Sequence, residues 1–174
     1  MKTMKKLILV LTLCWTTSYA ETNFQYAYKQ LLKHEGNYSN DSRDKGGETY
    51  RGITRTYNPN WRGWRYIDGR GNNISHDYGY LANFWAQDYY LSIWVNEGFD
   101  QILDKQLASY LFEYRVHTMF GIGEAKRLAS EMGLPLKVDN YLTPCEAKYL
   151  NFLSPQIYME KLRVRRVAHY HRIV

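Results

Sequence analysis

The sequence predicts a mainly α fold: a helical domain interrupted, after its first helix, by a short irregular or β-containing loop region. Three observations carry this. Apolar residues recur at helical spacing in segment after segment, several of them with recognisable caps. From Asn37 to about Gly71 that period vanishes, and the turn formers "DKGGET", "NPNW", "RGW" and "DGRGNN" follow one another. After the opening segment, no stretch is long and apolar enough to cross a bilayer as a helix.

The opening residues, "MKTMKKLILVLTLCWTTSYA", combine three lysines, an apolar run from Leu7 to Trp15 and small residues at Ser18 and Ala20. That is the pattern of a cleavable export signal, so residues 21–174 are expected to form one mature domain in the periplasm or outside the cell. Leu13 before Cys14 is too large for lipoprotein processing, so no lipid anchor is expected. Cys145 is then the single mature cysteine; no internal disulfide can form, and the fold must rest on its core.

Thr22 and Gln25 form a capping-box pattern, after which Phe24, Ala27, Tyr28, Leu31 and Leu32 fall on one helical face. Gly36 stops the helix. At about 100° per residue, Glu35 returns to nearly the face of Phe24 and Leu31, so a carboxyl group continues an apolar stripe through the last turn. Within the loop region, "ETYRGIT" and "WRYID" read as short strands. Helices are expected again over Tyr78–Trp94, Gln101–Met119, Glu124–Met132 and Pro144–Leu153. The last has Thr143 as cap, Pro144 in its first turn and Glu146 completing the box. Ser154-Pro155 begins a further, arginine-rich helix.

The whole chain carries a formal charge of +6, and removing Lys2, Lys5 and Lys6 leaves +3 for the mature part. An exported, mildly basic protein is a poor nucleic-acid binder; an anionic wall polymer suits its field, as does an ordinary soluble surface.

Chemistry concentrates at Glu35. A helix C-terminus and an apolar face both disfavour an ionised carboxylate, which is what a general acid needs. Glycoside cleavage needs a second group to hold or replace the attacking water, and Asp41 and Asp44 both stand in the following loop. Gly46-Gly47 permits a sharp fold back that would bring Thr49 towards Asp44, where its hydroxyl could hold water. A glutamate near a helix end is ordinarily solvated, however, and "NDS" caps turns without any chemistry. Tyr38, Tyr50, Tyr57, Trp61 and Trp64 offer ring faces to sugars or, equally, build a core. His117 has no partner at metal-ligand spacing and reads as a hydrogen-bonded histidine.

The stretch "EGNYSNDSRDKGGETYRGIT", from Glu35 to Thr54, resembles the signature of glycoside hydrolase family 108, approximately "EGGYxNDPxDxGGxTxxGIT". The family comprises bacterial and phage N-acetylmuramidases sometimes described as secretion-activating proteins. Asn37 and Ser42 are the two departures. "FWAQDYYLSIW" and "FEYRVHTMFGIGEAKRLASEMGL" are similar to later segments of the family, with His117 where an asparagine is usual. "VDNYLTP" is a degraded form of its "VDGxxGPxT".

The resemblance implies a lysozyme-like domain that cleaves the β-1,4 bond between N-acetylmuramic acid and N-acetylglucosamine. About residues 21–98 would form its catalytic part, and 99–174 a helical part similar to a degenerate peptidoglycan-binding region. The family's catalytic glutamate maps to Glu35. A looser similarity to phage-type lysozymes, with one residue fewer before the threonine, assigns Asp44 and Thr49 to the attacking water. Tyr38, Asn40, Asp41, Gly47 and His117 are the expected glycan contacts. The implied partners are peptidoglycan strands and a secretion or conjugation apparatus, with a monomeric protein and neither metal nor organic cofactor. A lytic transglycosylase and a non-catalytic wall-binding or secretion-assembly protein are the competing readings.

Overall fold

The computed structural model describes residues 21–41, 47–69, 79–118 and 120–170. The expected export signal and Asp44 lie outside the described residues. Within them, seven α-helices and one small antiparallel sheet bear out the mainly α, lysozyme-like prediction.

Helix α1 (Asn23–His34) begins as its sequence requires. The Thr22 hydroxyl accepts from the Gln25 N–H at 3.1 Å, and Gln25 Oε1 accepts from the Thr22 N–H at 2.9 Å. Phe24, Ala27 and Leu31 are its buried stripe. The helix stops one residue sooner than expected: Glu35 is already extended (φ −82°, ψ 130°), although its N–H still reaches the Leu31 carbonyl at 3.1 Å.

Three two-residue strands follow, β1 (Tyr38–Ser39), β2 (Thr49–Tyr50) and β3 (Ile53–Thr54), in the order β1-β2-β3. The "ETYRGIT" prediction therefore holds as a hairpin. Its two turn residues, Arg51 and Gly52, have φ of 48° and 80°, the signature of a type I′ turn, whose twist matches that of the strands. Tyr50 and Ile53 are paired and buried, whereas their neighbours Thr49 and Thr54 are paired on the opposite face.

"WRYID" is not a strand. It forms helix α2 (Trp64–Asp68), because Trp64 and Ile67 bury three residues apart while Arg65 and Asp68 face outward; that is a helical period, and alternation would have split the two apolar residues between faces.

Helix α3 (Gly79–Asn96) presents Ala82, Ala86, Tyr90 and Trp94 to the core at every fourth position and runs two residues beyond expectation. Trp94, Phe99 and Phe112 meet with ring centroids 5.3–5.6 Å apart. Each such burial contributes about 1.5–3 kcal/mol. The single helix expected over Gln101–Met119 is divided: a 3-10 turn at Phe99–Gln101 precedes α4 (Lys105–His117). Asp104 causes the break, its carboxylate accepting from the N–H groups of Gln106 and Leu107 at 3.0 and 2.8 Å to start a new helix.

Helix α5 (Gly121–Glu131) starts three residues before its predicted start. Helix α6 (Pro144–Tyr149) has the predicted Thr143–Glu146 box but tightens into a 3-10 turn at Leu150–Phe152, after which α7 (Pro155–Tyr170) begins at the expected Ser154-Pro155 step. Lys126 of α5, almost fully buried, reaches Asp139 at 2.7 Å, Glu146 at 2.8 Å and the Tyr141 carbonyl at 2.7 Å. One cluster of buried residues runs from Phe24 to Leu162, so early and late helices share a core.

Helices α1 and α4 lie side by side and point the same way. Lys105 sits 4.9 Å from the Tyr26 ring at their starts, and Glu113 lies 3.7 Å from His34 at their ends. Two helix C-termini therefore converge where Glu35 leaves α1.

Candidate active site

Glu35 projects between the hairpin turn and the end of α4. Its Oε1 lies 3.2 Å from His117 Nε2, and its side chain keeps only 16% of its surface exposed. The other oxygen, Oε2, lies against Gly52: a Cβ there would overlap the carboxylate and stand 2.8 Å from the Tyr90 hydroxyl. Gly52 is thus doubly required, by its φ of 80° and by the space the carboxylate occupies.

The turn is itself anchored. Tyr90 of α3 donates its hydroxyl to the Arg51 carbonyl at 2.6 Å, and Tyr50 donates to Asn83 Oδ1 at 2.5 Å. The Arg51 N–H returns to the Asn37 carbonyl at 2.6 Å, closing the loop just after Glu35. Burial, reinforced by the Glu35 charge, pushes the Tyr90 phenol far above its usual range; it remains a donor at any ordinary pH.

His117 ends α4. The hydrogen bond to Glu35 holds its imidazole above the usual histidine range, against partial burial and the Arg166 charge, with the Glu35 and Glu113 charges adding to the rise. The negative end of α4 acts in the same direction.

Beside this pair opens a cleft of about 430 Å³. Tyr89, Tyr90 and Ile93 of α3 form one side, Arg115, Val116 and His117 of α4 another, and Gly52, Thr54, Tyr57 and Asn58 the third. Arg115 is held by Glu97, its Nε 2.9 Å from both carboxylate oxygens. Burial pushes the Glu97 carboxyl above its usual range, although Arg115 pulls it down. The cleft thus offers ring faces, an amide, hydroxyls and a fixed guanidinium, a lining suited to a polyhydroxylated ligand. Among the described residues, no three His, Cys, Asp or Glu side chains stand together as a metal-ligand set.

The other residues singled out in the sequence are distributed more widely. Tyr38 donates to Glu48 Oε1 at 3.0 Å, and Glu48 also pairs with Arg55, which bridges to Asp68 at 2.6 Å and stacks over Trp64 at 4.2 Å. That chain ties the sheet to α2. Asn40 is exposed and Asp41 half-buried beyond β1. Gly47 adopts φ 70° and accepts from the Thr49 hydroxyl through its carbonyl at 3.1 Å. Thr49 is on the face of the hairpin shared by Thr54, and Thr54 is the threonine that lines the cleft. Tyr50 and Trp64 are core residues, Trp61 stacks on Tyr50 at 5.8 Å, and Tyr57 is three-quarters exposed at the cleft.

Sequence reasoning passed over Gly52, Thr54, Asn58, Tyr89, Tyr90 and Arg115. "YRGIT" carried the one local signal, since a two-residue turn between short strands calls for left-handed residues. The Glu97–Arg115 pair and the pairing of Glu35 with His117 join distant segments and leave no local trace.

A family model described as Glycosyl hydrolase 108 matches residues 28–121, more than half of the chain. The match contains Glu35, the hairpin, α3 and His117. A comparison with curated proteins finds no match.

Proposed function

The chain belongs to glycosyl hydrolase family 108 and is a glycoside hydrolase; from that premise we propose that it is an exported N-acetylmuramidase. Its substrate is peptidoglycan and its target the β-1,4 bond from N-acetylmuramic acid to N-acetylglucosamine. The observation that carries the reading is the Glu35 carboxyl, wedged between Gly52 and His117, two residues that line the cleft.

In this mechanism Glu35 gives its proton to the bridging oxygen while positive charge develops on the sugar ring. Asp44 and Thr49 hold the attacking water, with Asp41 as the alternative carboxylate. Tyr57, Asn58, Tyr89 and Arg115 align the glycan, a role that Tyr38, Asn40, Asp41 and Gly47 share along the loop. Residues 21–174 act as one domain, since His117 from the later helices completes the surroundings of Glu35. Among the described residues no helix is long and apolar enough to cross a membrane. The signal pattern at residues 1–20 supports action in the periplasm or outside the cell, as local wall remodelling for a secretion or conjugation apparatus.

The test is direct. Purified residues 21–174 should clear a suspension of wall sacculi, and Glu35→Gln should bind them without clearing. Equal clearing by both proteins would remove Glu35 from the chemistry.

A further inference from the structure

Glu35 and His117 meet where two parallel helices end. Each terminus brings about half a negative charge, which favours an imidazolium and disfavours a carboxylate. Among the described residues, charged and titratable groups face the pair from α1, α3, α4 and α7. At α1 stand Glu35 and His34, whose ring lies 6.3 Å from that of His117. Glu113 of α4 faces His117 from one turn back, and Arg166 of α7 opposes its protonation. Tyr90 of α3 faces the Glu35 carboxylate.

Of these, Glu35 makes the direct contact with Nε2, at 3.2 Å. Glu113 is shared with His34 at 3.7 Å and Ser109 at 3.4 Å, and Arg166 lies over the Tyr114 ring at 5.0 Å. Gly52 closes the far side of the carboxylate, so Oε1 is the oxygen left to exchange a proton. His117 also lines the cleft.

We propose that His117 is the proton-positioning partner of Glu35: the two side chains hold one proton between Nε2 and Oε1, and Glu35 delivers it to the glycosidic oxygen. This rests on Glu35 as the general acid. The proton passes from Nε2 to Oε1 and on to the bridging oxygen. The bond from C1 to that oxygen breaks, and its electron pair stays on the oxygen, which leaves as a hydroxyl. A neutral His117 and an ionised Glu35 remain. Water bonds to C1 through its oxygen, and the proton it releases returns to the pair. One water is consumed, and the pair recovers the proton it began with.

A lone carboxylic acid loses its proton in the ordinary carboxylate range, whereas this pair keeps one until the imidazole itself titrates. Asparagine at 117 can hydrogen-bond Glu35 but cannot carry the proton. The experiment measures kcat/KM against pH on solubilised glycan strands for the wild type, His117→Asn and Glu35→Gln, and follows the His117 imidazole by NMR in the wild type and Glu35→Gln. The expected result is an inactive Glu35→Gln and a His117→Asn enzyme whose basic limb lies lower by about one pH unit or more. The His117 imidazole should also titrate at lower pH in Glu35→Gln, a readout that needs neither activity nor a folded His117 variant. If Glu35→Gln is inactive but the basic limb of His117→Asn coincides with that of the wild type, or His117 titrates unchanged in Glu35→Gln, this proposal alone is overturned. A uniform loss at every pH in His117→Asn, with the limb unmoved, overturns it as well. An active Glu35→Gln overturns the general-acid reading and the proposal together.

Discussion

Gly52 and Glu35 are packed so closely that the carboxylate occupies the space where any other residue would carry its Cβ. The hairpin turn is therefore one wall around the Glu35 carboxyl, which adds to the φ of 80° a second reason for glycine there.

Gly52→Ala should lower kcat/KM by at least about tenfold and destabilise the protein by about 1–3 kcal/mol, because φ of 80° is strained for alanine and the methyl group must displace Glu35. Steady-state kinetics with calorimetric unfolding check this. Wild-type activity in the variant would show that the carboxylate tolerates another position.

Tyr90→Phe removes the hydroxyl that holds the Arg51 carbonyl and leaves that partly buried acceptor without its donor. A stability loss of about 1–3 kcal/mol is expected in urea unfolding. Since the turn carries Gly52, kcat should fall as well.

Tyr57→Ala isolates binding from folding. The ring is largely exposed yet lines the cleft, so its removal should leave the unfolding midpoint within about 0.5 kcal/mol of wild type. The loss of a stacking face should raise KM by about two- to tenfold with kcat nearly unchanged.

Lys126→Met tests a polar centre whose residues do not line the cleft. Hydrogen bonding to Lys126 holds the Asp139 carboxyl below its usual range; Glu146 also lies below it, because its bonds to Lys126 and Thr143 outweigh burial. Groups with a depressed folded-state value stabilise the protein above the ordinary carboxylate range and lose that effect as pH falls through the depressed one. Removing the lysine should lower stability near neutrality and flatten the acid side of the stability curve. An unchanged acid slope would place that pH dependence elsewhere.

The helices were legible because their caps and apolar stripes are local: Thr22 with Gln25, Thr143 with Glu146, and Ala82 to Trp94 at fourth positions. "WRYID" misled because a five-residue segment is too short for its period to declare itself, and only burial of Trp64 with Ile67 decides it. The helix break at Asp104 was concealed by the apolar residues on both sides, although the aspartate is an ordinary cap. Glu35 stood out through the stripe that leads to it. Gly52 and Tyr90 did not, and His117 stood out without its partner, since the three arrive from three elements whose meeting depends on the packing of α1 against α4 and on the anchoring of the hairpin to α3. Tyr38 stood out for its ring, whereas its bond to Glu48, in a chain through Arg55 to Asp68, joins separate segments and left no local trace.

Mass spectra of peptidoglycan digested by residues 21–174 test the central claim most directly, because bond and product type are read together. Muramidase action predicts fragments with reducing N-acetylmuramic acid ends from the wild type and none from Glu35→Gln. Reducing N-acetylglucosamine ends, anhydro-muramic ends or an undigested polymer would each contradict it.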